Sequence, residues 1–324
     1  MAEYKGIHGT KVQDYTTDPD NPLTGQVWYN ETANTLKVST GSLVTAWATG
    51  GDLGTARYGA GGSGTQTAGI AFGGIDPTFT DLGVTELYNG TGWTEVNDMN
   101  SAGRYFGSAQ GTQTSTVAFG GQGSRGPTPD GVFTETWNGT NWTEVNDLNT
   151  GRIRLAGSGA DNTSALAFGG EATTAQALTE SWNGTSWTEV NDLNTARYFL
   201  NGAGIQTAAL AFGGQPDTAV TELWNGTNWT EVNDLNTART NGGSAGTTTS
   251  ALMYGGFPPI TNITESWNGT NWTEVNDMTT GRRGIGGTGS SNTSALAAGG
   301  GTPSAVAATE EWSISGGTVT ITTD

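Results

Sequence analysis

Short runs in which apolar and polar residues alternate, each ended by glycine or asparagine, recur along most of the chain; "TSALAFGG" at 163–170 and "TESW" at 179–182 are two of them. No window carries the 3.6-residue apolar period of a long helix, so the pattern predicts short strands joined by tight turns and an all-β fold. The "NG" of "WNGTNW" at 224–229 is a hairpin signal, because Asn and Gly tolerate the positive φ that such turns require. Read in order, one stretch gives a Gly-rich strand, an "ALAFGG" strand, a variable loop, a "TESW" strand, the turn and a "WTEV" strand. Four antiparallel strands follow from one such stretch.

The stretch then repeats. Trp93, Trp142, Trp187, Trp229 and Trp272 precede "TEV" at intervals of about 45 residues, the length of a propeller blade. Trp47 in "AWATGGDLGTAR" stands ten residues before Arg57, as Trp187 stands ten before Arg197. The repeated arginines are Arg57, Arg104, Arg152, Arg197, Arg239 and Arg282, and a Gly-Gly doublet and an acidic-aromatic strand follow each of them. Every landmark occurs six times. The paired aromatics fit packing between adjoining sheets, and Glu180 with Arg197 is the ion pair expected to recur in every copy. For the strand that completes the last copy two candidates stand open: the segment near Trp47, and "GTVTITT" near residue 320.

The order Gly-Gly, Glu with an aromatic, a spaced Trp, a turn and Arg resembles the kelch repeat. The resemblance covers residues 42–324 and implies a six-bladed kelch-like β-propeller of four-stranded antiparallel blades. Residues 1–41 differ in kind: "NPLTGQVWYNETANTLKVSTGS" predicts a small hairpin turning at "NETAN". With "GIHGTKVQ" and "DPDNP" ahead of "GQVWYN", this segment resembles the N-terminal segments of virion-associated proteins of tailed phages, marine ones in particular. That resemblance implies attachment to other virion proteins through the N-terminal segment, with the propeller displayed outward on the virion.

Composition narrows the chemistry. The chain has 324 residues with 53 Gly, 12 Trp, no Cys and one histidine, His8. Thiol catalysis, Cys-based metal sites and a Ser-His-Asp triad therefore lack their residues, as do the ligands of the copper-radical oxidases that share kelch repeats. The expectation is a non-enzymatic protein with no cofactor and no metal; the Asn and Asp of "VNDLNT" read as turn formers, since they lack the spacing of a known calcium loop. A net charge of −18 opposes nucleic acid as a partner. No apolar h-region opens the sequence and no stretch is long enough to span a membrane, which predicts synthesis in the host cytoplasm without a signal peptide.

If the frame is constant, specificity resides where copies differ. The inserts between the Gly-Gly doublet and the Glu vary, and so do the residues just after the repeated Arg. In antiparallel blades both sets lie on one face. Its candidate contacts are Tyr58, Phe79, Tyr105, Arg125, Phe133, Tyr198, Phe257 and Arg283. The partner class expected there is a host-surface glycan or protein, as for a tail fibre or appendage; a capsid decoration protein and a free lectin-like propeller of cellular origin are the alternatives.

Overall fold

The computed structural model describes residues 12–17, 26–101, 108–122, 131–216 and 218–320. No helix occurs among them, and the chain divides into two compact units, residues 1–46 with 313–324, and Trp47–Trp312.

In the smaller unit Gln13–Tyr15 pairs in parallel with Val27–Asn30, which pairs antiparallel with Thr35–Thr49 so that Asn30 faces Thr35. The turn between them is held by the Asn30 side chain, which accepts from the Ala33 amide at 2.7 Å, and by Asn34 at φ 55°. Trp28 is fully buried.

In the larger unit five four-stranded antiparallel sheets follow one another, and strands of a sixth, larger sheet complete the set. Their first strands are Gly61–Thr65, Ser108–Thr112, Ala156–Asp161, Asn201–Ile205, Gly243–Thr247 and Gly286–Ser291. Each packs on the next in this order, and the last packs on the first. Glycine permits the approach: a Cβ on Gly202 would stand 2.4 Å from the Gly157 carbonyl oxygen of the neighbouring first strand. The second strands are the best buried, with Leu166, Phe168, Leu210 and Phe212 wholly inaccessible. The third-to-fourth turns follow from one side chain: Asn138 Oδ1 accepts from the amides of Thr140 and Asn141, both at 2.9 Å, while Gly139 takes φ 92°.

The repeated tryptophans join sheet to sheet. Trp142 Nε1 donates to Thr85 Oγ1 of the preceding sheet at 2.9 Å, and Trp187, Trp229 and Trp272 donate in the same way to Thr134, Thr179 and Thr221. Trp47 donates to Thr264 and Trp93 to Thr309, both at 3.0 Å, so the first sheet reaches the sixth by the same bond. Four of these indoles also meet a ring of the preceding sheet edge-on, among them Trp229 with Phe168 at 5.0 Å and Trp47 with Tyr254 at 4.8 Å, whereas Trp93 packs on a cluster that holds Ala298. Trp47 thus occupies in the sixth sheet the place that Trp229 holds in the fourth. The Thr35–Thr49 strand neighbours Thr309–Thr320, and the Gly50 amide donates to the Thr309 carbonyl at 2.9 Å. The "GTVT" residues continue the Thr309–Thr320 strand and form no separate strand beside it.

Among the described residues a buried ion pair lies within five of the six sheets, and it differs from the expected one by a copy. Glu180 binds Arg152 at 2.9 Å, and Arg197 binds Glu222 at 2.9 Å. The arginine leads into the first strand of its own sheet, whose third strand supplies the glutamate. Arg57 with Glu86, Arg239 with Glu265 and Arg282 with Glu310 repeat the arrangement, and these arginines are essentially inaccessible to solvent. Arg104 lies outside the described residues. The Arg197 Nη1 also donates to the carbonyls of Gly213 and Val220, so the guanidinium closes the base of the second-to-third loop. Asn194 adds a clamp, its Nδ2 donating to Glu222 and to the Trp229 carbonyl. Asp234 of the "ND" pair accepts from the Thr221 amide at 3.0 Å. The second Asn of "VNDLNT" therefore locks the connection to the next sheet, and its Asp holds the third strand of its own sheet.

Candidate recognition face

The buried Arg fixes the two backbone segments that carry the variable residues. Directly after it, Tyr58 bridges to Ile75, Ile153 to Glu171, Tyr198 to Gln215, Thr240 to Phe257 and Arg283 to Gly301. The residue after the Arg and the residue after the Gly-Gly doublet therefore lie side by side in each of these sheets, and both variable sets share one face.

One residue further on, the backbone turns left-handed in every described copy: Gly59 at φ 68°, Arg154 at 58°, Phe199 at 54°, Asn241 at 57° and Gly284 at 61°. A non-glycine residue in this region costs about 1–2 kcal/mol, so the conformation must be held by its surroundings. It is held by a belt of hydrogen bonds between sheets. The Phe199 amide donates to the Arg154 carbonyl at 2.8 Å, Asn241 to Phe199 at 2.9 Å, Gly284 to Asn241 at 2.7 Å and Gly59 to Gly284 at 2.9 Å. These residues surround a cavity of about 120 Å³ whose walls are the beginnings of the Gly-rich first strands.

Around that mouth two arginines lie over aromatic rings. Arg154 stands 4.7 Å from the centroid of Phe199 and 5.9 Å from that of Tyr198, and forms an ion pair with Glu171. Arg283 stands 4.9 Å from Phe257 and 5.7 Å from Tyr58. The Tyr58 hydroxyl accepts from Asn241 Nδ2 at 3.0 Å. Burial pushes its pKa above the ordinary tyrosine value, against the opposing pull of Arg283.

Phe79 stands apart from this cluster. It is 82% exposed at φ 64°, on a loop whose Asp76 carboxylate accepts from the Thr78 hydroxyl at 2.7 Å and from the Thr78 and Thr80 amides at 2.8 and 2.9 Å. These bonds, the Thr78 hydroxyl first, hold the Asp76 carboxyl below its ordinary pKa.

Of the expected contacts, Tyr58, Phe257 and Arg283 therefore come together, and Tyr198 joins a second group with Arg154. Phe133 sits at a loop base, where its carbonyl accepts from the Gly120 amide as the Leu178 carbonyl does from Gly169. Tyr105 and Arg125 lie outside the described residues. Arg154, Phe199 and Asn241 escaped the sequence reading. Gly59 and Gly284 at the same register, two residues after the repeated Arg, are the signal of a left-handed position that would have revealed them. Neither a scan against protein-family models nor a search of curated proteins finds a match for this chain.

Proposed function

We propose that the six sheets form a six-bladed kelch-like β-propeller, closed by residues 47–49 beside residues 309–312, and that the chain is a non-enzymatic adhesive component of a tailed-phage virion. In this reading the N-terminal 41 residues attach to other virion proteins, as in a tail fibre or appendage, and the variable face meets a glycan or protein of the host surface. The cyclic Trp–Thr bonds support the propeller. The observation that carries recognition is Phe79, a large apolar side chain fixed in a costly conformation and turned to solvent on the face where the copies differ. Exposed aromatics on a rigid loop supply contact area at low entropic cost, which suits them to binding and gives nothing to folding.

The test is gold labelling of phage particles with an antibody against the recombinant protein, combined with binding of the fluorescent full chain to candidate host cells. Label on tails or fibres, and cell binding that falls several-fold in Phe79→Ala, is the expected result. Label confined to heads makes the protein a capsid decoration. Unlabelled particles together with retained glycan binding make it a free lectin-like propeller.

A further inference from the structure

The two arginines at the mouth differ in one respect. The Arg154 charge is met by Glu171, the residue after its Gly-Gly doublet. The corresponding neighbour of Arg283 is Gly301, which has no side chain to answer it. Among the described residues Arg283 has no carboxylate within ion-pair distance and no hydrogen bond from its guanidinium, and its Nε is buried without a partner. Its guanidinium carbon lies over the rings of Tyr58 and Phe257, which come from different sheets. These cation–π contacts use none of its N–H groups, and a planar guanidinium binds a carboxylate through two parallel bonds.

This half-buried cation belongs to a chain of net charge −18. A polyanion meets general repulsion from such a surface, whereas an isolated carboxylate on an otherwise neutral molecule meets little, because surface charges beyond about 8 Å are screened in physiological salt. Close by are the Asn241 amide, already donating to Tyr58, and the rings of Tyr58 and Phe257, which offer the polar contacts and apolar faces that sugars engage.

We infer that Arg283, set over Tyr58 and Phe257 beside the mouth of the cavity, is the anchor for the carboxylate of an acidic sugar, such as a uronic acid within a surface polysaccharide. This inference rests on the recognition reading above and names the ligand class that the face would select.

Calorimetric titration of the full chain with methyl glucuronoside, which carries a single carboxylate, with its uronate methyl ester and with inorganic phosphate tests it, alongside binding of the labelled chain to host cells. Expected is binding of the glucuronoside that exceeds that of the ester at least tenfold and falls at least tenfold in Arg283→Gln. Arg283→Lys should recover only part of it, because the ammonium keeps the charge and loses the planar fork. Arg154→Gln, whose charge is already met, should change affinity less than threefold. Unfolding midpoints of each variant separate lost binding from lost folding. Equal binding of acid and ester, or binding of phosphate as tight as that of the sugar acid, overturns the inference. So does undiminished host-cell binding by Arg283→Gln, which leaves the recognition reading standing. Absence of any cell binding by the wild-type chain defeats that reading itself.

Discussion

Phe79 gives up backbone energy that a glycine would not, since an L-residue at φ 64° costs about 1–2 kcal/mol. Its ring is too exposed to return that cost through burial. Phe79→Gly is therefore expected to raise the unfolding free energy by about 1 kcal/mol in denaturant titration while host-cell binding falls, the two readouts moving in opposite directions. The buried pairs follow the reverse logic. Glu222 accepts from Arg197, from Asn194 twice and from the Thr195 amide, so removing either charge strands the other in a dry site. Arg197→Met and Glu222→Gln should each cost about 3–5 kcal/mol, and the double variant less than their sum, since glutamine keeps an oxygen for the two amides once the guanidinium is gone. Tyr254 takes the place that Phe72, Phe119, Phe168 and Phe212 hold in other sheets, and its hydroxyl donates to the Leu296 carbonyl at 3.0 Å. Burial raises its pKa, and that of Tyr88 is pushed up to about 12 by burial and by the Glu311 carboxylate. With folded values above the unfolded value of about 10, both contribute fully below pH 10, and the contribution is lost as pH rises beyond it. The melting temperature should therefore fall above pH 10, and less steeply in Tyr254→Phe, which at neutral pH costs about 1 kcal/mol for the lost hydrogen bond.

At the scale of strands and loops, what could be read from the chain was what a single copy determines alone. Alternation, the "NG" turns and the Gly-Gly doublets specify four strands without reference to any neighbour. The Arg–Glu pairing differs by one copy from the expected one because an arginine on a connection is nearer in sequence to the glutamate behind it, as Arg197 is to Glu180, than to the one ahead, from which Arg197 stands 25 residues away. Only the geometry of the first strand assigns it to the sheet that it enters. The left-handed belt was hidden for a related reason. Arg154, Phe199 and Asn241 share no side-chain chemistry, and what unites them is a backbone belt in which the Phe199 amide donates to Arg154 and the Asn241 amide to Phe199. The Asp76 loop is a local element that does carry its own signal, an Asp two residues before a Thr. Because its folded pKa is lowered, the order it provides is present above the ordinary carboxylate pKa and is lost as pH falls through the lowered value. Amide resonances of Thr78 and Thr80 should accordingly lose their protection from exchange on acidification, and Asp76→Ala should lose it at every pH.

For the whole larger unit, the decisive question is whether six sheets behave as a row or as a ring. In a row each sheet contacts only its neighbours, the ends fray, and damage at a terminal sheet is absorbed there. In a ring no sheet is terminal. The bonds Trp47 to Thr264 and Trp93 to Thr309 are those that a row would lack, and they match Trp229 to Thr179 in donor, acceptor and length within 0.1 Å. Trp47→Ala removes an indole packed on Tyr254 and Trp312, and Trp229→Ala removes one packed on Phe168 and Trp224. Large-to-small changes of this kind cost about 3–5 kcal/mol, with Trp47 toward the lower end because it is less buried. A ring predicts that both variants unfold in one cooperative transition displaced by similar amounts, with exchange of the amides in 221–224 and 264–267 rising together. A row predicts that Trp47→Ala leaves the main transition where it was and adds an early one confined to the sheet containing 286–298. Tryptophan fluorescence in a guanidinium titration, followed by mass-resolved hydrogen exchange, separates the two.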